Sequence, residues 1–320
     1  MSFSGRVKEE LARHTSTARH CQIAELAALF SGNGHALRES DGGTTLIFQT
    51  ENEVVVRKCF TLLRKTFNIE AEIHIRQHTG LNKGSVYSIC LKDAQEAARV
   101  LQGIKAVASD GEFSDQSVRI SSIVYQKNCC KRAFIRGCFL ASGSISDPEK
   151  FYHFEIVCPT QEKAKQIQQV IVGFDIDAKI VLRKKSYVVY IKEGAQIVEI
   201  LGIMEASLAL MDLENIRILK DMRNSVNRKV NCETANIHKT VNAAVKQIED
   251  IRLIEEERGL GSLSPGLEQI ARLRLEYPEA ALKELGEMLS PAVGKSGVNH
   301  RLRKLSDIAE ELRGNKEELL

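Results

Sequence analysis

The sequence has no tryptophan, and aromatic residues make up only 5% of it. The stacking platforms that grip single-stranded nucleic acid therefore have few parts to be built from. No run approaches the roughly 18 uncharged apolar residues of a membrane-spanning helix. Met1 to Arg13 carries Arg6, Lys8, Glu9 and Glu10 where a secretory leader would be apolar. A cytoplasmic protein with no membrane partner is expected, associated with the nucleoid if it binds DNA. The eight cysteines, at 21, 59, 90, 129, 130, 138, 158 and 232, contain no CxxC pair and no zinc-ligand spacing. They read as reduced, mostly buried thiols. The eight histidines are equally dispersed, and the one close pair, His74 and His78, fits alternate positions of a strand. No metal site and no cofactor are expected.

What is present is a chain of 320 residues with 43% hydrophobic composition, enough to bury a core in two or three domains. The net charge of +3 is unevenly spread. Arg217 to Lys246 holds Arg217, Lys220, Arg223, Arg228, Lys229, Lys239 and Lys246 against Asp221 and Glu233. Ser290 to Leu305 holds Lys295, Arg301, Arg303 and Lys304 and no acid. Two basic patches in the last third point to a polyanionic partner.

The first two thirds repeat. Phe67 to Arg76 reads FNIEAEIHIR and Phe174 to Arg183 reads FDIDAKIVLR, with Phe, Ile, Ala, Ile and Arg in common and acid-or-amide swaps at Asn68/Asp175 and Glu70/Asp177. Around the first copy the pattern predicts a helix at 22–31, a strand at 44–50, a helix at 53–67, strands at 70–78 and 85–91, and a helix from Asp93. Around the second it predicts a helix at 131–141, a strand at 151–158, a helix at 161–174, strands at 177–184 and 187–192, and a final helix. Both copies read α-β-α-β-β-α. Ile176, Ala178, Ile180 and Leu182 alternate with Asp177, Lys179, Val181 and Arg183, so one sheet face is expected under helices and the other open. Such a tandem repeat makes a pseudo-twofold saddle.

The helix opening each copy is rich in small residues and ends near glycine: LAALFSGNG from Leu26, and IRGCFLASGS from Ile135. Ala27, Ala28 and Gly137 would let two helix backbones approach closely, and a glycine suits a helix C-terminus. These segments resemble the paired LAGLIDADG motifs of homing endonucleases. In that family the two helices form the interface between repeats, and an acid at the foot of each binds a divalent metal that activates water. Alignment on the terminal glycines puts Asn33 and Ser142 at the acid positions, and neither can supply an anionic ligand. The resemblance therefore implies the fold without the nuclease. Asp41, Asp147 and Glu149 follow the motifs at unequal offsets and read as loop acids.

After Met204 the signals become helical and basic. Glu214 to Thr240 contains no glycine or proline and reads as a linker helix and basic turn, with Thr234 capping a helix to Glu257 that carries Val241, Val245, Ile248 and Ile251 on one face. Ser264-Pro265 starts a helix stopped by Pro278, a second helix covers 280–289, and a short turn leads to a last helix from about Ser296. This is a helix-turn-helix order. On the last helix Val298, Leu302, Leu305, Ala309 and Leu312 share one face. Ser296, Asn299, His300 and Arg303 are the candidate base contacts, and Lys295, Arg301 and Lys304 the candidate phosphate contacts. Arg223, Asn227, Arg228, Lys229 and Lys239 of the basic stretch are further candidate DNA contacts.

The runs AELAALFSGNG, KRAFIRGCFLASGSISDP, RNSVNRKVNCETANIHKT, LKELGEML and KSGVNHRLRKL, in that order, resemble the WhiA family of sporulation and cell-division regulators. The resemblance implies an α+β chain: a LAGLIDADG-like saddle of two repeats, 1–125 and 126–205, a basic linker, 206–230, and an all-α helix-turn-helix domain, 231–314. It further implies a transcription regulator that binds double-stranded DNA and acts in cell division and chromosome segregation. The saddle would serve as a platform for another regulatory protein or for weak DNA contact. An active metal-dependent endonuclease and an RNA-binding or ligand-sensing module are the alternatives.

Overall fold

Ser2 accepts a hydrogen bond from the Gly5 N–H at 3.1 Å and so caps the first helix, α1 (Phe3–Arg13), which buries Phe3, Val7 and Leu11. The computed structural model describes residues 1–38, 44–77, 84–107 and 119–317. It divides into two units, Met1–Asp221 and Met222–Leu320. His78 and Asp41 lie outside the described residues.

In the first unit α1 is followed by α2 (Arg19–Asn33), β1 (Gly34–Arg38), β2 (Thr44–Thr50), α3 (Glu53–Phe67), β3 (Ile73–Gln77), β4 (Ser85–Leu91) and α4 (Ala94–Gly103). A two-residue ladder, β5 (Ala106–Val107) with β6 (Arg119–Ile120), leads to the second copy. That copy is α5 (Asn128–Ser142), β7 (Gly143–Ile145), β8 (Phe154–Cys158), α6 (Gln161–Val172), β9 (Lys179–Arg183), β10 (Ser186–Ile191) and α7 (Gly194–Met204). The two antiparallel sheets have the same order, β1-β2-β4-β3 and β7-β8-β10-β9. Each repeat is thus α-β-β-α-β-β-α, one strand more than expected.

The extra strand begins at the glycine expected to end each opening helix. Gly34 (φ −95, ψ 143) and Gly143 (φ −84, ψ 155) are extended, so helix passes into strand without a loop. Both glycines lie against the preceding turn: a Cβ on Gly34 would fall 2.5 Å from the Phe30 carbonyl oxygen, and one on Gly143 2.7 Å from that of Phe139. The repeat also explains its own swaps. Asn68 (φ 56) and Asp175 (φ 63) each take the left-handed conformation after a helix, where a short polar side chain is tolerated. Equivalent ring pairs, Phe30 with Phe48 at 5.6 Å and Phe139 with Phe154 at 5.2 Å, join helix to sheet in both copies. The expected alternation holds for Ile176 and Ala178, just before β9, which are buried, but not on the strand itself, where Leu182 is exposed.

Helices α2 and α5 run side by side in the same direction at the centre of this unit, from His20 beside Cys130 to Gly32 beside Ala141. A Cβ on Gly137 would stand 2.5 Å from the Glu25 carbonyl and 2.7 Å from Ala28 Cβ, so glycine is what permits the approach. Beside this crossing lies a buried charge network. Glu25 Oε1 is 3.0 Å from Lys58 Nζ and 3.2 Å from Arg136 Nε, with all three side chains at 0% exposure. Arg136 also donates to Glu205 Oε2 at 2.5 Å, to the Met204 carbonyl at 3.1 Å and to Ser16 Oγ at 3.0 Å. Two cations face two carboxylates, which is what allows burial. The cysteines, expected to be dispersed, are not: Cys21, Cys129 and Cys130 converge on His20 at the start of the two central helices. All eight are free, and Cys129 and Cys232 are exposed.

The expected break near Thr234 is absent. A single helix, α8, runs Ser207–Arg258, and the division between the units falls inside it. With no glycine or proline in Glu214 to Thr240, nothing interrupts the helical ladder, and all but the first residue of the segment expected as a linker, 206–230, is part of it. In the second unit α9 (Pro265–Glu276), α10 (Leu282–Met288) and α11 (Lys295–Glu317) follow. Their core contains Ile251, Ile254, Ile270, Leu285, Val298, Leu302, Leu305 and Ala309. No described helix is long and apolar enough to cross a membrane.

Candidate nucleic-acid interface

The turn between α10 and α11 is held by contacts that only glycine allows. The Val293 N–H donates to the Gly286 carbonyl at 2.9 Å, and a Cβ on Gly286 would lie 2.1 Å from the Val293 carbonyl. The face predicted as core is core: Val298, Leu302, Leu305 and Ala309 are at most 1% exposed. The C-terminal half of α11 is tied down, Glu310 to Lys246 at 3.3 Å and Arg313 to the buried Asp250 at 2.6 Å. Its N-terminal half presents Lys295, Ser296, His300, Arg303 and Lys304 to solvent. Among the described residues no ion pair engages Lys295, Arg303 or Lys304. Arg301 differs: it is half-buried and donates to the Gly266 carbonyl of α9 at 3.4 Å, so part of its hydrogen-bonding capacity holds the fold. Asn299 is half-buried and turned towards α8.

Residues of α8 and α11 enclose a cleft of about 940 Å³ lined by Lys239, Val241, Val245, Lys283, Lys295 and Asn299 among others. The structure therefore groups Lys239 of α8 with Lys295 and Asn299 of α11, at least 56 residues further along the sequence, at one opening. Lys283 joins them and was missed, because it sits four residues before Glu287, with which it pairs at 3.8 Å, and reads as a solvated helix face. Arg223, Asn227, Arg228 and Lys229 lie on a stretch of α8 that is exposed on every side. They belong to the same unit as α11 but do not line this cleft.

In the first unit Asn33 and Ser142 are the last residues of α2 and α5, where the two helices end side by side. Asn33 Nδ2 donates to the Gln49 carbonyl at 2.9 Å, while its buried Oδ1 finds no partner among the described residues. Asn33, Gly32 and Ala141 line a cleft of about 830 Å³ together with Lys8 of α1. Lys8 donates to the Leu140 carbonyl at 3.2 Å, and burial pulls its pKa down to about 8. Lys8 thus brings an ammonium group to the cleft that Asn33 lines. Asp147 is spent in its own loop, accepting from the Glu149 N–H at 3.1 Å. On the open sheet faces, Arg183 pairs with Glu155 at 3.5 Å and Lys179 with Asp177 at 3.3 Å. The first sheet offers Arg76 and His74 there, the latter 3.9 Å from Glu72. Neither face carries a free run of cations among the described residues.

Comparison with known proteins covers nearly the whole chain. Residues 19–105, 131–223 and 226–309 match, in turn, families described as WhiA N-terminal LAGLIDADG-like domain, WhiA LAGLIDADG-like domain and WhiA C-terminal HTH domain. A protein of Lachnoclostridium phytofermentans named "Probable cell division protein WhiA" is 55% identical over 313 residues, covering 98% of this chain and 100% of that one. One of the same name from Alkaliphilus oremlandii is 48% identical over 318 residues, 99% of each. The crystal structure of full-length DUF199/WhiA from Thermatoga maritima shares the fold, with a TM-score of 0.58 at 24% identity over 97% of this chain and 99% of that chain.

Proposed function

Because the chain belongs to the WhiA family, we propose that it is a sequence-specific regulator that binds double-stranded DNA through the helix-turn-helix of its second unit. It acts on transcription in cell division and chromosome segregation, with sporulation as the role the resemblance adds in spore-forming relatives. The observation that carries this reading is the division of labour along α11: a C-terminal half fixed by Glu310 and Arg313, and an N-terminal half whose exposed Lys295, Arg303 and Lys304 engage no ion pair among the described residues. In this reading Ser296, His300 and Arg303 meet base edges, Asn299 joins them from the rim of the cleft, and Lys295, Arg301 and Lys304 meet phosphates. Arg223, Asn227, Arg228, Lys229 and Lys239 extend the phosphate contacts along α8. The site of action is the nucleoid in the cytoplasm.

The test is a gel shift on duplexes selected from a random pool, at fixed salt, with His300→Ala/Arg303→Ala beside wild type. Loss of discrimination, at about 1–3 kcal/mol for each base contact removed, is the expected result. Unchanged specific binding by the double variant overturns the assignment. Selection from random RNA in parallel tests the RNA-binding alternative.

The first unit, in this reading, is a LAGLIDADG-like platform without nuclease activity, open to contact with another regulatory protein or to weak DNA contact. Asn33 and Ser142 supply no anionic ligand, and Lys8 lies in the same cleft as Asn33. Incubation of the protein with plasmid and Mg²⁺ or Mn²⁺ is expected to leave the plasmid intact.

A further inference from the structure

We propose that His20, Cys21, Cys129 and Cys130 hold one tetrahedral zinc ion that clips the two repeats together at the start of their central helices. One ligand atom from each of the four lies within 4.8 Å of every other. His20 Nδ1 is the hub, 3.2 Å from Cys130 Sγ, 3.3 Å from Cys21 Sγ and 4.0 Å from Cys129 Sγ. Zinc bonds of roughly 2.3 Å to sulfur and 2.0–2.1 Å to nitrogen require an N···S separation of roughly 3.5 Å in a tetrahedron. The observed separations straddle that value, so small side-chain movements close the site.

Three features besides the distances point to a metal. The ligands come as two adjacent pairs at the second and third residues of α2 and α5, equivalent positions in the duplication, so the close parallel packing of those helices brings the pairs together. Neither helix has a side-chain cap: Ala18 and Lys127 stand at the cap positions, and neither first turn contains an acid. Two positive helix ends therefore converge with no acid in either first turn. Cys21 and Cys130 are buried while Cys129 and His20 are exposed, which leaves one side open for a metal to enter. Three soft sulfurs and one imidazole suit zinc over magnesium or calcium. The site lies at the opposite end of the helix pair from Asn33 and Ser142, and it does not depend on the DNA-binding reading.

The test uses the full chain, tag removed and purified under reducing conditions. Elemental analysis is expected to give one zinc per chain. Replacement by Co²⁺ is expected to give thiolate-to-cobalt charge-transfer absorption with the intense d–d bands of a tetrahedral site. Cys129→Ser, at an exposed position that does not disturb the core, is expected to weaken Co²⁺ binding by more than about tenfold. A picolinate-type chelator is expected to lower the melting temperature of wild type and leave that of Cys21→Ser/Cys130→Ser unchanged. Any of three results overturns the proposal: a metal-free chain with eight titratable thiols and no cobalt charge-transfer band, bound metal that Cys129→Ser and Cys130→Ser both retain at wild-type affinity, or a disulfide among these cysteines in place of metal.

Discussion

Lys8 shows how one side chain can set a pH dependence. Burial holds its pKa at about 8, against an ordinary value of 10.5. Above pH 8 the folded chain has released a proton that the unfolded chain keeps until 10.5, so unfolding free energy should rise with pH across that window, by up to about 3 kcal/mol. Below it the contribution is flat. Urea unfolding of wild type and Lys8→Met across the window checks this: the variant should lose the slope. The Glu25–Lys58–Arg136 network makes a second prediction. Arg136→Ala strands Glu25 with only Lys58 and should cost about 3–5 kcal/mol, read as a lower urea midpoint at unchanged m. None of this was legible in the sequence. Glu25 sits in a run of apolar residues and Lys58 and Arg136 on other helices, so only the packing of α2, α3 and α5 identifies them as partners. The αL positions, by contrast, were visible as the Asn68/Asp175 swap before their cause was.

At the scale of elements, alternation and turn chemistry placed β2, α3 and β4 to the residue, because each is bounded by capping or turn residues such as Asn52 and Asp93. β1 and β7 were missed because each starts on a glycine, and glycine after a helix reads as a stop. The helix-turn-helix was legible for the opposite reason: Ser264-Pro265, Pro278 and the apolar stripe of α11 punctuate it strongly. The zinc cluster was hidden because its spacing is 109 residues, set by the duplication and not by a local motif. The packing of α2 on α5 depends on Gly137. Gly137→Ala puts a methyl group against the Glu25 backbone and should cost about 1–3 kcal/mol by chemical denaturation. Gly261→Ala, where a Cβ meets nothing within 4 Å, is the control expected to stay within about 0.5 kcal/mol.

At the scale of the whole molecule, the described residues form two hydrophobic cores, one in each unit. Calorimetry should therefore show two transitions. Leu302→Ala, which removes a side chain 1% exposed, should lower one by about 2–5 kcal/mol and leave the other in place. A single transition that moves as a whole would show the units to be energetically inseparable. Lys295, Arg303 and Lys304, which engage no ion pair among the described residues, predict a steep fall of DNA affinity with salt, and Lys304→Ala should reduce the slope of log K against log salt by about one. The cleft at the foot of the central helices has an electrostatic consequence as well. Lys8 of α1 lines it together with Asn33, and Asn33 and Ser142 end α2 and α5. An acid introduced by Asn33→Asp would share the cleft with an ammonium group, and the two charges would offset each other where a divalent ion needs anionic oxygen ligands. Charge balance at this spot is therefore set by three positions on three helices, not by the two helix ends alone.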